Sequence, residues 1–398
     1  MPTNPITPFS EKLNIVSFLP TYLKPEMLHV YRQLHSLPHS NQHILTQKVE
    51  NLSQFPTSSL TPLPRPCSRE LRRFVYRHIL HQPIQIYPSE ARKILQTFHA
   101  LQGDLLHIYF GHVGTLLLPL LKIRNFPTIL SFHGADATAN LQSPKAIQAL
   151  QSATSLVDLI LVRSQSLLHA LQSLQIPNSK LLLHRTGIPL ADFPISSRSL
   201  PTSPTSPIHL LQASRLIPKK GLLSSLEMFD KFVKKRPGST FTIAGTGPME
   251  SELKEKVNQL GLTEQVKFPG FCSQESLRKH FAEAHIFLHP SETAANGDQE
   301  GVPNSMLEAM ATGLPVAATL HGGIPEALTS GRSGILVPER NPDALLHAVE
   351  TLIQSPEAYQ KFSEEAAQEV REKFDLQKQG ALLEQYYHQA IAIYSGVR

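Results

Sequence analysis

The sequence contains no tryptophan and only two cysteines, Cys67 and Cys272. They lie far apart and lack metal-ligand spacing, so neither a disulfide framework nor a zinc site is expected. Long apolar runs are missing too. The best, Thr115–Leu121, is broken by Pro119 and falls short of the ~18–20 residues of a membrane span. The start, MPTNPITPFSEKLN, lacks the basic and apolar regions of a signal peptide, so the expected compartment is the cytoplasm. Three chemical signatures are absent. No Asp-x-Asp occurs, which removes sequence support for a divalent metal on a diphosphate. Neither GxxxxGK with a following Ser or Thr nor GxSxG is found, which argues against a P-loop NTPase and an α/β-hydrolase.

What is present describes a globular chain. The 398 residues suggest two or three domains, and 41% hydrophobic with 17% charged residues excludes a wholly disordered one. Proline (32) outnumbers glycine (20), so many turns are stiff. The net charge of +5 is unevenly spread: the first 200 residues hold 18 basic and 9 acidic side chains, the remainder 19 and 23. A basic half joined to an acidic one suggests a lobe facing an anionic surface. Nucleic acid is the weaker candidate, because no binding motif or interleaved aromatics accompany the charge.

Short apolar runs alternate with helical patterns. Leu13–Leu19, Leu105–Phe110, Thr128–His133, Leu159–Val162 and Leu181–Arg185 read as buried strands. Ile195–Pro207, ISSRSLPTSPTSP, reads as a linker. Strands then restart at Ile208–Ser214, Phe241–Gly247, Val266–Phe271, Ile286–Ser291, Pro315–Thr319 and Gly334–Val337, with helices between. Continuous apolar strands separated by helices indicate parallel sheets covered on both faces, hence an α/β chain with two doubly wound domains. The expected division is a flexible N-terminus (1–12), an N-terminal domain (13–194), a linker (195–207), a C-terminal domain (208–374) and a last helix (375–398) crossing back to the N-terminal domain. Ligands of such domains bind at the carboxyl ends of the strands.

Four stretches there carry chemistry. In ETAANGDQEGVPNSMLEAM, Glu300 precedes Gly301 and Pro303, and Glu308 follows within the next helix. A helix starting near Pro303 aims free N–H groups at the Glu300 loop, an anion site, although a plain capped helix would look similar. In RLIPKKG, Arg215 and Lys220 are cations on a short loop after a strand, suited to a diphosphate or simply solvated. Gly245 and Gly247 follow another strand, but Glu250 stands where a dinucleotide fingerprint needs its third glycine, which disfavours a nicotinamide enzyme. His133, in HGAD, ends a strand of the other domain; His184 and Arg185 end another.

In this order RLIPKKG, IAGTGPM, VKFPGF, the spaced glutamates, GLPVAAT and GGIPE, with FHGAD and HRTGI upstream, resemble glycosyltransferase family 4, and most the colanic-acid and exopolysaccharide branch. The resemblance implies a GT-B fold, two Rossmann-like domains facing across a cleft. It implies a retaining, metal-independent transfer of a hexose from a UDP- or GDP-sugar to a glycan or lipid-linked acceptor, with no cofactor. Arg215 and Lys220 would bind the diphosphate, and Gly245 and Gly247 would line the donor site. Phe271 and Cys272 would flank the base, and Glu308 would bind the ribose. Glu300 with Gly301, Val302, Pro303 and Asn304 would hold the sugar and phosphate, and His133 would reach the sugar near the reaction centre. The loop after the first strand, LPTYLKPE, departs from the family by lacking glycine; Leu19, Pro20 and Tyr22, with Asp136, are the acceptor candidates.

Within Arg65–Leu80, Arg69, Arg73 and Arg77 recur every four residues, while Leu71, Phe74, Val75 and Ile79 form another face. This reads either as an interfacial helix on the inner face of an anionic membrane or as a surface helix packed on the sheet. A GT-B sugar-nucleotide epimerase and a non-catalytic carbohydrate-binding protein are the rival functions. The latter should have lost part of the Arg215, Lys220, Glu300 and Glu308 set, and all four are present.

Overall fold

The computed structural model describes residues 12–24, 27–134, 143–201, 203, 206–295 and 297–396. The expected flexible segment 1–12 thus falls, except for Lys12, outside the described residues. The chain divides into two compact units. One runs up to Gly187 and resumes at Leu376; the other is Ile188–Asp375.

The first unit contains β1 (Leu13–Phe18), β2 (Thr21–Tyr22), β3 (Ser40–Thr46), β4 (Lys48–Val49), β5 (Leu60–Pro62), β6 (Leu105–Tyr109), β7 (Thr128–Phe132), β8 (Leu159–Val162) and β9 (Leu181–Leu183). Seven form one sheet in the order β5-β3-β1-β6-β7-β8-β9, every neighbour parallel. β2 and β4 form a separate parallel pair. Both faces of the large sheet are covered, which is why its central strands are mostly apolar, with Ser17, His107 and Ser131 as buried polar exceptions. On one face Val16, Phe18, Leu130 and Phe132 join a core with Ile94 and Phe98 of the helix Pro88–Ala100. On the other, Ile15, Leu105, Ile129 and Leu159 pack against Leu383, Tyr387 and Ala390 of the last helix, Leu376–Gly396. Full burial of a side chain such as Leu383 contributes roughly 1.5–3 kcal/mol, so this helix is an integral layer of the unit.

The second unit contains β10 (His209–Ala213), β11 (Thr240–Ala244), β12 (Val266–Gly270), β13 (Ile286–His289), β14 (Val316–Thr319) and β15 (Ile335–Val337). They form one parallel sheet ordered β12-β11-β10-β13-β14-β15. Three strands run outward in one direction from β10 and three in the other from β13, the doubly wound Rossmann order with its switch point between β10 and β13.

The stretch 195–207, read as a linker from composition, is in part anchored on the second unit. Buried Arg198 donates to the carbonyls of Phe281 (2.8 Å) and Ala284 (2.9 Å) and to Thr312 Oγ1 (2.8 Å). A single arginine surrounded by serines and prolines carries no pattern that announces such burial.

Candidate active site

Two loops leave the carboxyl ends of β10 and β13 side by side. The first, Ser214–Gly221, turns back at Gly221, which has φ +61°. A Cβ there would overlap the carbonyl oxygen of Pro290, so only glycine lets the loops meet. The loop is fixed from the other side by Gly245 and Gly247. A Cβ on either would strike the backbone of Ser214 or Leu216. In their absence Leu216 N–H donates to Thr246 O at 2.9 Å. Gly245 and Gly247, expected to line the donor site, therefore act first by letting the Arg215 loop close onto the sheet.

The second loop carries Glu300. Its carboxylate pairs with the Lys220 ammonium, and both side chains are nearly buried. Burial pushes the Glu300 carboxyl up, but Lys220, with His289 and Lys219, more than offsets this and holds it at about 2. Burial pulls the Lys220 ammonium down, and Glu300 resists that shift. Lys219 is also buried and bonds Asp298 (3.0 Å) and the Gln299 carbonyl (3.1 Å). Arg215 is exposed and near enough to depress Lys220 further. Two lysines thus hold the Glu300 loop, and one cation of the cluster faces solvent.

The helix Asn304–Ala311 starts directly after this loop. Pro303 is its N-cap residue, one place earlier than a first-turn proline. Ser305 Oγ donates to the Ala213 carbonyl at 2.6 Å and docks the helix onto the end of β10. Glu308 lies one turn in and is 3% exposed, although its neighbours Met306, Leu307, Ala309 and Met310 are apolar core. Val302 packs partly into that core, and Gly301 has open space where a Cβ would stand. Beyond β12, Phe271 is 66% exposed and the Cys272 thiol donates weakly to the Gly270 carbonyl (3.7 Å).

In the first unit His133 follows β7 and belongs to a buried polar chain. Its Nε2 is 2.8 Å from Ser131 Oγ, which is 3.0 Å from His107 Nε2. His107 Nδ1 is 2.9 Å from Tyr387 Oη on the last helix. Burial pushes both histidines well below their ordinary range, so both are neutral at pH 7. His133 also faces His29 at 3.4 Å and the Phe110 ring at 4.7 Å. His184 is tied to the Gln379 carbonyl (3.0 Å) and is a structural link to the last helix.

Residues 197–369 match the family of glycosyl transferases group 1, and residues 29–192 match Glycosyltransferase Family 4. WcaL of Escherichia coli K12, a glycosyltransferase named for colanic acid biosynthesis, is 30% identical over 318 residues, covering 76% of either chain. The chain belongs to glycosyltransferase family 4. The amylovoran biosynthesis glycosyltransferase AmsK of Erwinia amylovora is 36% identical over 248 residues, 61% of this chain and 60% of AmsK. Among solved structures, Anabaena HepE in complex with UDP superposes with a TM-score of 0.73 at 18% identity, covering 95% of this chain and all of HepE. The fold is therefore GT-B, and the chain is a glycosyltransferase.

The acceptor candidates of the transferase fare unevenly. Leu19 and Tyr22 have fully buried side chains, and Tyr22 Oη donates to the Phe55 carbonyl at 3.0 Å. Burial raises the Tyr22 hydroxyl to about 12. Both are core residues, because the chain after β1 folds into β2 instead of opening a glycine loop. Pro20 is half-buried, and its carbonyl accepts from Gln47 N–H and Lys48 N–H. Asp136 lies outside the described residues.

The basic segment also differs from its expected form. Helix Arg69–Phe74 passes into a π-helix, Val75–Leu80. Its anchor is not the apolar face. Arg72, 5% exposed, pairs with Glu90 and lies 4.7 Å over the Tyr87 ring. Leu71, Phe74 and Ile79 are 64%, 56% and 61% exposed. No described helix is long and apolar enough to cross a membrane.

The sequence does not single out Lys219, His289, Asp298, His321 and Glu339 as site residues, although Lys219 and Asp298 lie in the RLIPKKG and ETAANGDQEGVPNSMLEAM stretches and His289 in the expected strand Ile286–Ser291. His289 ends β13 fully buried, and neither ring nitrogen has a partner among the described residues. Burial, with Lys220 beside it, lowers it to about 3.

Proposed function

We propose that this glycosyltransferase moves a hexose from a nucleoside-diphosphate sugar to a glycan or lipid-linked acceptor of a cell-surface polysaccharide. The observation that carries the donor assignment is the Lys220–Glu300 pair at the β10/β13 switch point, beside exposed Arg215 and the start of the helix Asn304–Ala311. Such a site offers a diphosphate fixed cations and backbone N–H groups, which stabilise a departing anion without reorganising. The diphosphate complex of HepE supports the donor class, and the names of WcaL and AmsK support the polymer class.

The transfer is metal-independent and retains the anomeric configuration. The bond from C1 to the diphosphate oxygen breaks, and the acceptor oxygen bonds C1 from the same face. The acceptor proton passes to a phosphate oxygen of the leaving group, so no protein base is consumed. Glu300 acts on the transferred sugar, Glu308 on the ribose, and Phe271 and Cys272 lie against the base. His133 acts on the sugar as a neutral hydrogen-bonding group. The exposed Leu71, Phe74 and Ile79, flanked by Arg69, Arg73 and Arg77, dock the enzyme on the inner, anionic face of the membrane.

Incubation with radiolabelled UDP- and GDP-hexoses and lipid-linked oligosaccharides, with and without chelator, tests the reading. Label should move to the lipid fraction in both conditions. Loss with chelator that manganese or magnesium restores would refute the metal-independent step. Release of free sugar product without transfer from every donor would refute the acceptor assignment.

A further inference from the structure

The Glu300 loop is gripped by a histidine that the proposed reaction does not use. His321 follows β14 and is 2% exposed. The backbone N–H of Glu300 donates to His321 Nε2 at 2.9 Å, and His321 Nδ1 lies 2.6 Å from Glu339 Oε1. An amide N–H only donates, so Nε2 must present its lone pair. The ring proton is then on Nδ1 and is donated to Glu339.

Glu339 is itself fixed. Thr293 N–H donates to its Oε2 at 2.8 Å and Thr293 Oγ1 to its Oε1 at 3.4 Å. One carboxylate therefore holds the start of the loop directly and its end through His321. The next two residues complete the grip. Gly322 has φ +52°, and a Cβ there would overlap the Glu300 carbonyl oxygen. Gly323 N–H donates to that same carbonyl at 3.2 Å. The amide and carbonyl of Glu300 are both held by the 321–323 turn, while its side chain meets Lys220.

We propose that His321, with its tautomer set by Glu339, is a positioning residue that aims the Glu300 carboxylate at the transferred sugar. Fixing the backbone on both sides of Glu300 leaves its side chain few directions. The inference rests on the assignment of Glu300 to the sugar. A displacement of about 1 Å at a reacting group costs as much as ~10²-fold in rate, so a backbone clamp has kinetic weight.

Two substitutions in the full-length enzyme separate the two nitrogens. In His321→Gln the side-chain carbonyl stands near the Nε2 position and still accepts from Glu300 N–H. In His321→Asn the side-chain amide stands near the Nδ1 position, still donates to Glu339, and leaves Glu300 N–H without its acceptor. Steady-state kinetics, nucleoside-diphosphate calorimetry and thermal melting are measured on both, beside Glu300→Ala. The expected result is a kcat drop of ~10-fold or more for His321→Asn, nucleoside-diphosphate affinity within ~2-fold of wild type, and kcat largely kept by His321→Gln. Equal kcat losses in both variants that track their melting temperatures would overturn the proposal, leaving His321 as scaffold. Wild-type kcat in His321→Asn would overturn it as well, even with Glu300→Ala inactive. Wild-type activity in Glu300→Ala would instead bring down the assignment of Glu300 and this inference with it.

Discussion

Lys220 and Glu300 are 80 residues apart in sequence and form a nearly buried ion pair where the β10 and β13 loops meet. Gly221 and the Pro290 carbonyl make the contact that brings them together. The pair keeps Glu300 ionised and opposes the effect of burial on the Lys220 ammonium.

The two glutamates should separate kinetically. Interactions that strengthen only in the transition state appear in kcat, and uniform ones in KM. Glu300→Ala should therefore lower kcat by ~10²-fold or more. Glu308→Gln should chiefly raise donor KM and weaken nucleoside-diphosphate binding by ~1–3 kcal/mol. Calorimetry beside kinetics checks both, and an exchange of the two phenotypes would reverse the assignment.

Membrane docking and folding should separate within one helix. Arg69→Glu with Arg73→Glu should reduce co-sedimentation with anionic vesicles at low salt, each lost cation being worth ~1 kcal/mol. Leu71→Ser with Phe74→Ser should do the same, because these side chains face outward. Neither pair should change turnover on a soluble acceptor. Arg72→Ala should act on stability instead, by roughly 1.5–3 kcal/mol, since it removes the charge-assisted bond between buried Arg72 and half-buried Glu90, which keeps Tyr87 N–H and Gln47 as donors. Unchanged sedimentation in both pairs would reduce the segment to scaffold.

Stability should fall on mild acidification. His184 is held at about 4 and His289 at about 3, against an ordinary 6.5, both mainly by burial. His107 and His133 are also pushed well down. Below pH 6.5 the unfolded chain takes up protons that the folded chain refuses. Each such histidine thus favours the folded state fully above pH 6.5 and loses ground as pH falls towards its folded value, at up to ~1.4 kcal/mol per pH unit. Urea denaturation at pH 7 and pH 5 should show the loss, and His289→Leu should shrink it. A flat profile would contradict the neutral, buried state of these rings.

Much of this was legible in the residue pattern. The six strands of the second unit are short apolar runs between helices, and each is found where its run lies. β3 was not legible because SNQHILT begins with four polar residues; Ser40 is buried by bonding Glu384 of the last helix, not by apolarity. The loop residues were legible as types, Arg, Lys and Glu near glycines after strands, although a solvated loop and a capped helix would have read the same way. Their mutual geometry was not. Nothing in the sequence pairs Lys220 with Glu300, or His321 with Glu339, because these contacts join segments that only the sheet order brings together. Leu19 and Tyr22 are acceptor candidates only by their place after β1, and the sequence does not show that the β2–β4 pair folds their side chains inward.

The most direct measurement is a calorimetric titration of the wild-type enzyme and Arg215→Glu with UDP and with GDP. It needs no knowledge of sugar or acceptor. Wild type should bind one of the two nucleotides without added metal, and Arg215→Glu should bind it at least ~10-fold more weakly, as expected when a charge-assisted bond to phosphate becomes a repulsion. Equal binding by both proteins, or no binding of either nucleotide by wild type, would contradict a donor site at the β10/β13 switch point.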